Sequence, residues 1–195
     1  MATSNFAWGS LVYGARVEQI DNTGEAWVAV PSAGLQLVQV SSDDTLVYPS
    51  AHLNWNMNDE MKVRFGATTS ASRPDFDDLR PNFTINDAAQ SISGGNPTAK
   101  PERQSGLDAY FEWYMPTGDF FSAGVFYKDL RDVLVNQANV FGLDTLDVAG
   151  IDRSGYIQTA IGNAGDGELN GFEMAYVASA ERLVSSMGLP DWMGG

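Results

Sequence analysis

The run "MKVRFGATTS", residues 61–70, decides the fold. Taken every second residue, it separates Met61, Val63, Phe65, Ala67 and Thr69 from Lys62, Arg64, Gly66, Thr68 and Ser70. Side chains along a strand point alternately to its two faces, so this run forms a ribbon that is apolar on one side and polar on the other. The same period returns elsewhere. "AHLNWNM" (51–57) sets Leu53, Trp55 and Met57 against His52, Asn54 and Asn56, and "SGLDAYFEWYM" (105–115) sets Leu107, Ala109, Phe111, Trp113 and Met115 against Asp108, Tyr110, Glu112 and Tyr114. "LVYGARVEQ" (11–19), "ELNGFEMAYV" (168–177) and, less cleanly, "GDFFSAGVFYKDL" (118–130) follow suit, which gives about six long strands. One short helix is expected, over "SAERLVSSMG", residues 179–188.

The links between these strands alternate in length. "NMNDEM" (56–61) and "MPTGDF" (115–120) are tight turns rich in Asn, Asp, Pro and Gly, and each closes a hairpin. Residues 21–47, 71–104 and 129–167 instead read as long polar connections, far beyond the roughly four to six residues usual in a compact domain. A soluble sandwich carries comparable loops at both ends, whereas an outer-membrane barrel has short turns on one side and long loops on the other. The asymmetry therefore favours an all-β, antiparallel, up-and-down transmembrane barrel segment. Trp55, Trp113, Tyr114 and Met115 cluster at the turn ends, where amphipathic rings suit a membrane interface.

Composition agrees with a folded chain and narrows its partners. Of 195 residues, 44% are hydrophobic and 18% charged, which is not the make-up of a disordered segment. The net charge of −14, without a compensating basic patch, excludes a nucleic-acid surface. Absent cysteine removes disulfides, thiolate metal sites and a cysteine nucleophile. No apolar run reaches the roughly 18 residues of a membrane helix, and "MATSNFAWGS" lacks the pattern of a signal peptide; neither observation bears on membrane strands.

The sequence also resembles the barrel domain of TonB-dependent outer-membrane receptors, in particular the group common in alphaproteobacteria and xanthomonads. The resemblance is carried by "YPSAHLNWNMNDEMKVRFGATTSASRPDFDDLRP", by "SGGNPTAKPERQSGLDAYFEWYMPTGDFFSAGVFYKDLRDVL" and by "GELNGFEMAY", in order over residues 48–178. It implies a barrel of about twenty-two strands around a plug domain. It further implies a small-molecule ligand held by outer loops and plug, and energy from the TonB complex. Ferric siderophores, haem, cobalamin and saccharides are the cargoes of such receptors. The chain shows no plug sequence and no TonB box, and it ends at "GLPDWMGG" rather than in an aromatic-ended strand. Residues 1–195 thus read as part of the C-terminal half of such a barrel.

On this reading "SRPDFDDLRP" (72–81) is a barrel rim. Pro74 and Pro81 lack an N–H and end strand pairing, and Arg73 and Arg80 are placed to fork onto Asp75, Asp77 or Asp78. The acidic spacing matches no EF-hand, so no metal is expected. In "SGGNPTAKPE" (93–102), Gly94 and Gly95 permit a positive φ, and Asn96 joins Arg73, Asp75, Asp77, Asp78 and Arg80 as a loop candidate for ligand contact. His52, Lys62, Arg64, Asp108, Tyr110 and Glu112 are expected to face the lumen.

No cofactor and no catalytic group is expected. His52 is the lone histidine, with no serine or cysteine motif nearby, and Asp108 and Glu112 are better matched to Lys62 and Arg64 as charge partners than to glycoside hydrolysis. Asp166 and Glu168 in "NAGDGELNG" offer only a generic cation site. Two alternatives stand beside the receptor: a secreted β-sandwich that binds carbohydrate through Trp113 and Tyr110, and a plug-free porin.

Overall fold

In the computed structural model, residues 1–30, 34–140, 150–178 and 187–188 are described, without the side chains of 29, 30 and 34. The helix expected over 179–188 lies outside the described residues apart from Met187 and Gly188. Seven strands form one antiparallel sheet: β1 (Ala2–Phe6), β2 (Gly9–Val30), β3 (Gly34–Asn56), β4 (Met61–Ser72), β7 (Glu102–Tyr114), β8 (Phe120–Arg131) and β11 (Gly167–Val177). They lie side by side in chain order. The four strands β5 (Phe83–Asn86), β6 (Ser91–Gly94), β9 (Leu134–Val140) and β10 (Ile157–Asn163) form a second, smaller sheet from the two long connections.

The alternation expected from sequence becomes a continuous surface because the registers agree. Leu11 pairs Leu53, Leu53 pairs Phe65, Phe65 pairs Ala109, Ala109 pairs Val125 and Val125 pairs Phe172. One row of apolar side chains thus crosses six strands. Among the described residues no second sheet covers it: Leu107, Val125 and Phe172 keep 60%, 57% and 76% of their surface exposed. That is incompatible with the sandwich alternative, whose core would lie between two facing sheets. Trp113 and Tyr110 also project to opposite faces, since Trp113 pairs Met61 while Tyr110 pairs Arg64, so they cannot form one binding platform.

The short turns are built as their residues dictate. Asn58 Oδ1 accepts the N–H groups of Glu60 at 2.9 Å and Met61 at 2.7 Å, and Gly118 supplies the positive φ of 86° that closes the β7–β8 turn. Aromatic rings gather at this end of the sheet: Phe6 stacks on Trp8 at 4.8 Å, and Tyr114 lies 5.0 Å from Phe120.

The six long strands read from the sequence are β2, β3, β4, β7, β8 and β11; the sheet adds a short edge strand, β1, whose "ATSNF" is too short and too polar to show a period. Two expectations are corrected. Residues 21–47 are not an irregular connection: β2 and β3 continue as a paired ribbon up to Val30 and Gly34. Their even-numbered face carries Ala26, Val28, Val38 and Val40, and β-branched side chains sustain strands beyond the apolar band. Gly94 and Gly95 do not adopt a positive φ. A Cβ on Gly95 would instead collide with the backbone oxygens of Arg80 and Asp78, so that position needs glycine for close approach.

Candidate functional site

The polar face of the large sheet holds all six residues expected to share a side. His52, Gly66 and Asp108 form one row; Asn54, Arg64 and Tyr110 the next; Asn56, Lys62 and Glu112 the third. Arg64 grips Glu112 through Nε at 2.9 Å and Nη2 at 3.1 Å, and Tyr114 donates to the same carboxylate at 2.9 Å. The Lys62 ammonium lies 5.2 Å above the Tyr114 ring, and Tyr110 donates to Glu173 at 3.0 Å. Glu112 thus accepts a fork-like pair of hydrogen bonds from Arg64 and a third from Tyr114.

Where β4 leaves the sheet, "SRPDFDDLRP" folds onto the even-numbered face of the β2–β3 ribbon. A single 3₁₀ turn spans Phe76–Leu79, and Pro81 closes over Gly24. Arg73 reaches away from its neighbouring aspartates to Glu18 and Asp44, each at 3.7 Å, whereas Arg80 does pair with Asp77 at 3.6 Å. The expected fork between Arg73 and the local aspartates fails because the chain turns Arg73 back toward β2 and β3, where two carboxylates wait. Glu18 also binds Arg16 at 2.9 Å and accepts from the hydroxyl of the buried Tyr48 at 2.9 Å. Among the described residues no three acidic or imidazole side chains come close enough to hold a metal ion, so Asp75, Asp77 and Asp78 do not converge.

The two long connections are joined to one another, a feature with no counterpart in the sequence reading. β6 and β10 pair in parallel, Ser91 opposite Ile157 through Ser93 opposite Thr159. Arg153, 8% exposed, holds Asp87 with two bonds of 2.8 and 3.1 Å, and the Tyr156 hydroxyl donates to the same carboxylate at 3.1 Å. Asn163 bridges further: its Oδ1 accepts from Lys100 N–H at 2.9 Å, and its Nδ2 donates to the carbonyls of Lys100 and Asp132. Asn96 is spent in the same way, donating to Ile161 O at 3.1 Å and accepting from Thr98 N–H and hydroxyl. On the exposed Asp152, the Ser154 N–H at 2.8 Å stabilises the carboxylate and holds its pKa below the ordinary value.

Asp87, Arg153, Tyr156 and Asn163 were not legible as a set, because they lie up to seventy-six positions apart (163 − 87) with no local motif around any of them. Replacing Arg153 by alanine is expected to cost the loop sheet about 1.5–3 kcal/mol, the range for hydrogen bonds to a charged group. Asp87 is half-exposed and can rehydrate, which keeps the loss below that of a fully buried pair. Hydrogen exchange is the measurement: β6 and β10 amides should exchange roughly ten- to hundredfold faster, with β4, β7 and β8 unchanged. Uniform acceleration across both sheets would show that the clamp does not act locally.

Comparison with known proteins places this architecture. The family model described as "TonB dependent receptor-like, beta-barrel" matches residues 2–193. Among solved structures, a double mutant of the Serratia marcescens hemophore receptor HasR, in complex with its hemophore HasA and heme, superposes with a TM-score of 0.60 at 14% identity. The copper transporter OprC gives 0.57 at 14%, and the siderophore receptor PirA from Acinetobacter baumannii 0.55 at 14%. These alignments cover 89%, 88% and 92% of this chain but only 30%, 24% and 33% of the respective partners. At that identity the likeness is one of fold. No curated protein matches the chain in sequence.

Proposed function

Because the chain belongs to the TonB-dependent receptor β-barrel family, we propose that it forms part of the wall and outer loops of an outer-membrane receptor that takes up a scarce nutrient. The apolar row faces lipid; His52, Lys62, Arg64, Asp108, Tyr110 and Glu112 face the lumen and the plug domain of the same receptor. The TonB complex energises passage of a small-molecule ligand, which the joined connections at 71–104 and 129–167 contact from outside. The family consists of transport receptors rather than enzymes, and the hydrogen-bonded state of Glu112 accords with that.

The observation that carries this reading is the abrupt edge of the apolar face. On the outer side of the β2–β3 ribbon the apolar run stops at Val17 with Val47, and four polar pairs follow, Gln19 with Thr45, Asp21 with Asp43, Thr23 with Ser41 and Glu25 with Gln39, before Trp27 meets Leu37 toward the tip of the ribbon. From Val47 down to Trp55 the strand runs about 27 Å, which at a tilt near 40° is about 20 Å of height, close to the roughly 25 Å band of such barrels. Aromatic rings border its other edge. Within this reading Arg73, Arg80 and Asn96 shape the rim, since each is engaged with the protein itself, while Asp75 and Asp77 are the more exposed carboxylates and Asp78 is half-buried.

The cysteine-free sequence makes the test clean. Single cysteines at Ala89 or Ala164, in the long connections, should react with a membrane-impermeant maleimide on intact cells. Those at Asp59 or Pro116, in the short turns, should react only after the outer membrane is opened. The reverse pattern, or equal labelling at all four, would remove the assignment of loops to the outside.

A further inference from the structure

Beside the loop clamp lies a cavity of about 390 Å³ whose chemistry is unlike the rest of this acidic chain. Its walls come from the 95–97 turn, from Gln137, Asn139, Gln158 and Ala160 on one face of β9 and β10, and from Ile161, whose carbonyl accepts from Asn96. Among the described residues no Lys, Arg, Asp or Glu lines it, although the chain as a whole carries thirty-six such residues (11 + 25). The three amides of Gln137, Asn139 and Gln158 are brought together by register: Asn139 pairs Gln158 and Gln137 pairs Ala160, so all project to one side. Gln137 is seated by a gap below it, because a Cβ on Gly162 would come within 2.7 Å of its amide carbon and oxygen. Asn96 is held by Ile161 and Thr98, which makes it a fixed wall.

We propose that this amide-lined cavity binds a neutral, hydroxyl-rich ligand of the saccharide class. The proposal rests on the reading of these connections as the ligand-contacting loops and narrows it to a cargo class. A side-chain amide presents two donors and an acceptor with two lone pairs, which matches a hydroxyl that both donates and accepts. An anionic ligand such as a haem propionate or a catecholate complex would need Arg or Lys, and a bare cation would need carboxylates. Neither is present among the described residues of the walls. A neutral peptide could use the amides as well, but Ala160 and Ile161 offer little apolar surface for its side chains.

The test is calorimetric titration of the full chain in detergent micelles with maltohexaose, chitohexaose and xylohexaose, alongside haemin, ferric desferrioxamine and a neutral hexapeptide. At least one hexaose should bind with a Kd of about 10 μM to 1 mM. The pair Gln137→Ala and Gln158→Ala together should weaken it by about tenfold or more, and Asp43→Asn, on the exposed outer face of the ribbon, should leave it unchanged. Gly162→Ala, which displaces the Gln137 amide without removing it, should weaken binding by a smaller factor. Hexaose binding that survives the double substitution would overturn the site. Binding of haemin, the ferric complex or the peptide in place of every hexaose would overturn the saccharide class and leave the receptor reading intact. Absence of all binding would overturn the proposal alone, because the receptor reading is judged separately by cysteine labelling on cells.

Discussion

Replacing Val125 by lysine is expected to destabilise the chain in phosphatidylcholine vesicles by about 2–4 kcal/mol, the penalty for a cation near the midplane on the lipid face of a barrel. Val125 stands in the middle of the apolar row, between Ala109 of β7 and Phe172 of β11. It is 57% exposed, so in a water-soluble protein the same substitution would fall within about 0.5 kcal/mol of neutral. The sign of the effect is thus set by what surrounds the sheet and not by packing within it. His52→Lys is the matched control: it stands opposite Gly66 one residue off the apolar parity, on the face that already carries Arg64 and Asp108. That change should cost no more than about 1 kcal/mol. Reversible urea unfolding from vesicles, followed by tryptophan fluorescence, measures both. Equal costs for the two lysines would mean that the two faces meet the same solvent, and the lipid-facing assignment would fall.

Such predictions are available because strand parity is legible in the sequence alone. Met61, Phe65, Leu107 and Trp113 declare their face by period alone, and a register slip of one residue would have turned every one of them toward the polar side. Turn chemistry was legible for the same local reason, in Asn58 and Gly118. What failed was reading polar segments as structureless. From Gln19 to Glu25 the β2–β3 ribbon is polar on its outer face, and its inner face is covered by the 73–81 turn, an arrangement that no local window contains. The loop sheet is harder still. Its central contact is the parallel pairing of β6 with β10, between segments separated by all of β7, β8 and β9. Short strands such as "FTIN" and "SISG" carry no measurable period, and their stability comes from partners distant in sequence. The site residues divide along the same line: those on long strands share a face as their spacing requires, while Arg73 found distant carboxylates that sequence neighbours could not suggest.

Gly124→Leu is expected to cost about 2–4 kcal/mol, combining overpacking with a lost hydrogen bond to a carboxylate. Tyr110, Gly124 and Glu173 form one row across β7, β8 and β11. The Tyr110 ring lies flat over Gly124 to deliver its hydroxyl to Glu173, spanning a strand with which it would otherwise compete for space. A Cβ at 124 would strike Cδ1, Cε1 and Cζ of that ring, so the side chain must leave, and Glu173 then loses its donor. Gly66 beneath Asp108 and Gly171 beneath Phe126 repeat the device, which identifies the polar face as one where large side chains lie across strands and small residues make room. The rescue follows from the same geometry. Tyr110→Ala clears the space, so the double variant Tyr110→Ala with Gly124→Leu should be more stable than Gly124→Leu alone, with a coupling of about 1–3 kcal/mol in a double-mutant cycle. Additive losses would show that the two positions do not share space, and the row would then be held by backbone pairing alone.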